Sequence, residues 1–134
     1  ARADAVCQAI RQRVADARLQ PVGVANDAEL STALKGCTIV IAAGAAGVVM
    51  LPRPIRDAAD SLQVAIDLNA VPPLGIEGVG VADAAVRQGE TFCYGAIGVG
   101  DTKMKIHRAA IASLFESNDK VLDAEEMYQL ASQF

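Results

Sequence analysis

Thr38-Ile-Val-Ile-Ala42 is apolar and largely β-branched, with Gly44 and Gly47 close behind it. A strand with one wet face alternates apolar with polar residues, whereas this run is apolar on both faces. That is the pattern of a strand buried in a parallel sheet between helical layers. A second run over residues 63–68 also reads as a strand and empties into Asp67-Leu-Asn-Ala-Val-Pro-Pro-Leu-Gly-Ile-Glu-Gly-Val-Gly80. Two adjacent prolines fix φ and withdraw two backbone donors there, and the glycines let the chain turn sharply or approach another molecule. A stiff loop of this kind at a strand end is where a ligand is expected.

Working outward, residues 2–18 read as an amphipathic helix carrying Val6, Ala9, Ile10, Val14 and Ala17 on one face. Residues 21–25 are a short strand candidate. Asn26 and Glu29 form an N-cap and capping-box pair, and Gly36 ends the helix they open. A short helix is expected between Gly44 and Pro52, and a helical turn over 57–61. Beyond the proline loop come a helical stretch over 82–87, a strand over 91–97 and an amphipathic helix over 103–116 with Met104, His107, Ile111, Leu114 and Phe115 on one face. A terminal helix starts at Asp123, with Glu126 as its capping partner.

Strands alternating with helices imply βαβ units and a mostly parallel sheet. The fold class expected is α/β, a partial doubly wound, Rossmann-like sheet lacking its first βαβ unit. In a sheet of order 3-2-1-4-5-6 the absent first and second strands would lie in the centre. The strand at 21–25 then has no neighbour, and the sheet exposes two unpaired edges and apolar faces. The chain also opens at Ala1. The expectation is therefore that residues 1–134 are the carboxyl-terminal portion of an NAD(P)-binding domain, ending in helices over 102–117 and 123–134. The missing amino-terminal segment of the parent enzyme would be its partner in folding.

Composition bounds the function. With 52% hydrophobic residues the chain can bury a core, and a net charge of −4 without charge blocks argues against nucleic acid or an anionic membrane surface as partner. No apolar run reaches the roughly 20 residues a membrane span needs, so a cytoplasmic location is expected. Cys7, Cys37 and Cys93 lack any Cys-x-x-Cys or histidine pairing and read as buried thiols.

Ligands of doubly wound sheets bind outside the carboxyl ends of the strands. Two loops qualify. Ala42, Ala43, Gly44 and Ala45 are small enough for a flat ring to pass close to the backbone, or form only a tight strand-to-helix turn. Asp67 and Asn69 can each hydrogen-bond a carboxamide or ribose hydroxyl, or cap their own loop as an Asx-turn. Asn69 is favoured because its amide both donates and accepts. Gly98-Val-Gly100 lacks the third glycine of a phosphate-binding turn, and Asp101 or Thr102 is expected as an N-cap. Lys103 and Lys105, in a first turn where the helix dipole disfavours cations, are read as a solvated pair in preference to one answered by a counter-charge or ligand. His107 is read as a core histidine in preference to a base. Neither triad, metal cluster nor carboxylate pair is visible.

Residues 67–80, Tyr94 to His107 with its Lys-Met-Lys-Ile-His motif, and Leu114-Phe-Glu-Ser-Asn-Asp-Lys-Val-Leu-Asp-Ala-Glu-Glu-Met-Tyr128 together resemble the NAD(P)-dependent methylene-tetrahydromethanopterin and methylene-tetrahydrofolate dehydrogenases of methylotrophic bacteria. That resemblance implies hydride transfer from the one-carbon bridge of a reduced pterin to NADP or NAD, in a homo-oligomeric enzyme. It implies cofactor contacts at Ala42, Ala43, Gly44 and Asn69, with Pro72 and Leu74 near the nicotinamide and Arg2 left as partner for a 2′-phosphate. No catalytic acid or base is implied. Asp101 departs from the small residue expected there, and the family's glycine-rich turn has no counterpart. The alternatives are another Rossmann dehydrogenase, of the shikimate or glutamyl-tRNA reductase type, or a non-catalytic assembly module.

Overall fold

In a computed structural model, which describes residues 2–134, the chain is a mixed α/β structure around one four-stranded sheet. Helix α1 (Arg2–Arg13) and helix α2 (Asp27–Ala33) precede strand β1 (Ile39–Ala42). Helix α3 (Arg53–Asp57), strand β2 (Val64–Asp67), strand β3 (Val86–Gln88) and strand β4 (Thr91–Tyr94) follow. Helices α4 (Gly100–Leu114) and α5 (Ala124–Ala131) close the order. The sheet runs β1-β2-β4-β3, with β1, β2 and β4 parallel and β3 antiparallel to β4.

Register places Ile39, Val64 and Phe92 side by side, then Val40, Ala65 and Cys93, then Ile41, Ile66 and Tyr94. Because side chains alternate across a strand, the first and third rows share one face and the second row, with Ala42 and Asp67, shares the other. The second face is covered. Leu34, Leu51, Leu62, Ile76 and Val79 bury Ala42, Ala65 and Cys93, and Leu30 and Ile55 from α2 and α3 pack against that cluster.

The first face is open, which corrects the expectation of a strand enclosed on both sides. Ile39 and Ile41 are 57% and 58% exposed and Phe92 is 43% exposed. Among the described residues none of α1, α4 and α5 packs on the sheet; α4 packs against α5, and α1 against no other helix or strand. Their apolar stripes, including Val6, Ile10, Met104 and Ile111, stay exposed.

Further expectations are corrected. Residues 21–25 form no strand, as a segment without a sheet neighbour has no ladder to join. The helix expected over 82–87 is replaced by turns and β3, paired to β4 through the two-residue turn Gly89-Glu90, with Gly89 at φ +62°. The first helix stops at Arg13 rather than 18, and the helix expected over 102–117 occupies Gly100–Leu114 with Val99 at its N-cap and no side-chain cap. Between Gly44 and Pro52 there is no helix; the helical turn lies at α3 instead of 57–61.

Both capping pairs are as expected. Asn26 Oδ1 accepts from the Glu29 N–H at 3.0 Å, and Asp123 and Glu126 form a complete capping box. Among the described residues no helix is long and apolar enough to cross a membrane.

Candidate functional site

At the carboxyl ends of β1 and β2 the chain leaves the sheet as two adjacent loops. Ala42 ends β1, buried and level with Asp67 at the end of β2, and its carbonyl accepts from the Leu68 N–H at 2.9 Å. Ala43, Gly44 and Ala45 continue as an exposed crest. Asn69, nearly buried, donates from Nδ2 to the Ala45 carbonyl at 3.1 Å, which ties the second loop to the first. Its Oδ1 has no hydrogen-bond partner among the described residues. That atom is the acceptor the site can offer to a carboxamide N–H or a hydroxyl.

Asp67 is spent on the loop itself. It is fully buried, its Oδ1 accepts from the Asn69 N–H at 2.9 Å and its Oδ2 from the Ile76 N–H at 2.7 Å. Of the two roles open to it from sequence, the structure selects the Asx-turn. Pro72 and Pro73, joined by a cis peptide bond, are exposed at the loop's far end, and Leu74 is half-buried beside them.

The distal arm of the loop is stitched to the segment before α3. The Gly75 carbonyl accepts from the Met50 and Leu51 N–H groups at 2.8 and 3.0 Å, and the Glu77 N–H donates to the Leu51 carbonyl at 3.0 Å. Glu77 Oε2 accepts from the Arg53 N–H at 2.8 Å and so caps α3, whose own N-cap residue is Pro52. Arg56 is 3% exposed, donates to the Glu77 carbonyl at 3.0 Å and pairs with Asp57 Oδ1 at 2.8 Å. The hydrogen-bonded Arg56 guanidinium holds the half-exposed Asp57 carboxyl below the usual aspartate range.

Gly44 and Gly75, on different loops, share one neighbour. A Cβ at Gly44 would overlap Met50 Sδ, and one at Gly75 would stand 2.7 Å from Met50 Cε and 3.0 Å from Asp67 Oδ1. The space above Gly44 that the sequence reading leaves for a ring is taken by the Met50 thioether, so the accessible crest is Ala43 and Ala45. Sequence reasoning missed Met50, Arg56 and Glu77. Paired glycines 31 positions apart around one methionine are the signal that pointed to the first, and the other two act across more than twenty residues of chain.

Other candidates fall elsewhere. Arg2 opens α1, which has no packing tie to the sheet that carries the remaining site residues. Asp101 pairs with Lys105 at 3.4 Å, both side chains being exposed, so the second lysine has a counter-charge on its own helix. His107 is exposed, not a core residue, on a groove between α4 and α5. Cys93 is enclosed and its thiol is pushed up by burial, while Cys7 and Cys37 are half-buried. A cavity of about 650 Å³ opens at the opposite, amino-terminal ends of β2 and β4, beside Leu62 and Thr91. Both of its arginines, Arg53 and Arg56, already pair with Asp57, and Glu90 at its rim pairs with Arg87. We therefore place the candidate site at the carboxyl ends, where a free acceptor and small residues meet. Among the described residues no cluster of histidine, cysteine or carboxylate side chains could hold a metal ion.

No protein-family model matches the chain. It is 44% identical over 109 residues to the bifunctional protein MdtA of Methylorubrum extorquens, a match covering 81% of this chain and 38% of that one. It is 33% identical over 102 residues to the NAD(P)-dependent methylenetetrahydromethanopterin dehydrogenase of the same organism, covering 74% of this chain and 34% of that one. The matched region thus spans little more than a third of either relative.

Proposed function

We infer, from the chain's homology over most of its length to MdtA and to an NAD(P)-dependent methylenetetrahydromethanopterin dehydrogenase, that it is the nicotinamide-nucleotide-binding part of an oxidoreductase of one-carbon metabolism. The reaction is oxidation of the methylene bridge of methylene-tetrahydromethanopterin, or of methylene-tetrahydrofolate, to the methenyl form. NADP or NAD, when bound, supplies the hydride acceptor.

One observation of the site carries the placement: Asn69 Nδ2 ties the β2 loop to Ala45 of the β1 loop and leaves Oδ1 as acceptor at the carboxyl ends of adjacent parallel strands. That is where open α/β sheets hold their ligands. Of the β1-loop residues expected at the cofactor, Ala43 stands with Ala45 on the accessible crest, while Ala42 is buried beneath it and Gly44 is covered by Met50; Asn69 Oδ1 accepts from the carboxamide, and Pro72 and Leu74 present apolar surface to the ring. Arg2 is retained only as the candidate for a 2′-phosphate, and it decides nothing between NADP and NAD.

The protein's contribution is alignment. Holding two reacting rings in order contributes on the order of 7–11 kcal/mol in favourable cases, and no residue is assigned as acid or base. On this reading the parallel run β1-β2-β4 is taken as the 4-5-6 half of a doubly wound sheet, an order its topology supports. The open edge of β1 and the open face of Ile39, Ile41 and Phe92 then await the central strands and their covering helices, in the region of the relatives that the matches leave uncovered. A homo-oligomer remains part of this reading.

The test is calorimetric titration of the chain with NADP and NAD, alone and with methylene-tetrahydromethanopterin. Saturable binding, weakened in Asn69→Ala, is expected. Unchanged affinity in Asn69→Ala removes that residue from the site, and turnover of shikimate in place of the pterin would replace the substrate assignment.

A further inference from the structure

We propose that Asp67 is the positioning residue of the nucleotide site: it touches no ligand, and fixes the loop that does. The inference rests on the function proposed above. One fully buried carboxylate receives the N–H of Asn69 at 2.9 Å on one oxygen and the N–H of Ile76 at 2.7 Å on the other. Those two amides are the two ends of the segment carrying Pro72 and Leu74, so a single side chain closes the loop at its neck. Gly75 is part of the fit, because a Cβ there would come within 3.0 Å of Asp67 Oδ1 and 3.2 Å of the Ala42 Cβ.

The geometry calls for an acceptor on each of the two side-chain oxygens. Both partners are donors, and only an acceptor-only group takes two N–H bonds with its two oxygens. An asparagine has the same shape but must turn its NH₂ toward one of the amides, which opens one end of the neck. If the Asn69 end opens, its side chain moves with its backbone N–H, since both belong to the same turn, and if the Ile76 end opens, the arm carrying Pro72 and Leu74 is released. The Asn69 bond to the Ala45 carbonyl, and hence the alignment of Oδ1 with the β1 crest, depends on that turn.

The experiment compares the whole chain as wild type, D67N and N69A. Amide hydrogen exchange is followed over residues 68–77, and the affinities for NADP and NAD are measured by calorimetry. In D67N, exchange at Asn69 and Ile76 accelerates and affinity for the preferred nucleotide falls about tenfold or more, the size of a lost charge-assisted bond. In N69A, affinity falls while Ile76 exchange is unchanged. D67N with faster exchange and wild-type affinity overturns the positioning role, and D67N with unchanged exchange overturns the neck. A D67N chain that does not fold by circular dichroism assigns Asp67 to overall stability and also overturns the proposal. Wild type that binds neither nucleotide sinks the function and this inference together, whereas a binding wild type with an unaffected D67N sinks only the inference.

Discussion

The Arg56–Asp57 pair is lopsided, and its two partners are predicted to respond to mutation in the order opposite to their burial. The Arg56 side chain is 3% exposed and Asp57 51%. In Asp57→Ala the guanidinium stays buried with its counter-charge gone. Stranding a buried charge costs about 3–5 kcal/mol. The low end, about 3 kcal/mol, is expected here because the Glu77 carbonyl still receives Nη1 at 3.0 Å. In Arg56→Met the stem packing is kept and Asp57 simply rehydrates, since half of it already meets water. What is lost is the donor to the Glu77 carbonyl, a cost of about 1–2 kcal/mol. Urea unfolding followed by circular dichroism gives both values. The double variant Asp57→Ala/Arg56→Met should return close to the Arg56→Met single, because no charge is then stranded. Asp57→Ala costing less than Arg56→Met would refute the reasoning.

Acid titration of stability examines the same pair. Because the Asp57 carboxyl is lowered in the folded chain by the Arg56 hydrogen bond, its contribution is present above the ordinary aspartate range and is lost as pH falls through the folded value. Arg56→Met should flatten that acid limb, measured by urea midpoints between neutral and strongly acidic pH. Gly75→Ala should destabilise by about 1–3 kcal/mol, as its Cβ meets the hydrogen-bonded Asp67 Oδ1 at 3.0 Å and the Ala42 Cβ at 3.2 Å as well as the more pliant Met50 tip, whereas Gly36→Ala, with open space around it, should show only the smaller strain of φ +76°. Thermal melts of the two variants compare them directly. Cys7 and Cys37 should react with a thiol reagent in the native chain, while Cys93, enclosed and with its thiol raised by burial, should react only on unfolding; a third thiol titrating at the native rate would count against the core described.

What can be read from sequence is local. The β-branched run at 38–42 locates β1 to within one residue, and the Asn26–Glu29 and Asp123–Glu126 pairs locate two helix starts, because caps act within four residues. Gly89-Glu90 is a legible two-residue hairpin turn, but Val86-Arg-Gln is too short to show alternation and is outweighed by the helical look of Ala82 to Arg87. Residues 21–25 have strand composition and no strand, since pairing is decided by a neighbour and not by the segment. At the site, the small residues after β1 and the loop after β2 can be found from composition. The bonds of Asp67 to Ile76, of Arg53 to Glu77 and of Arg56 to the Glu77 carbonyl join positions 9 to 24 residues apart, and no local pattern announces them.

The sheet is asymmetric at its margins. Beyond β4 lies β3, three residues long and turned back by its hairpin, a margin too brief to template much more. Beyond β1 no strand follows among the described residues. Growth by strand addition therefore has one direction, and two copies meeting border to border through β1 would exhaust each other's capacity. Association through this sheet would end at a closed pair and not run on into a fibre.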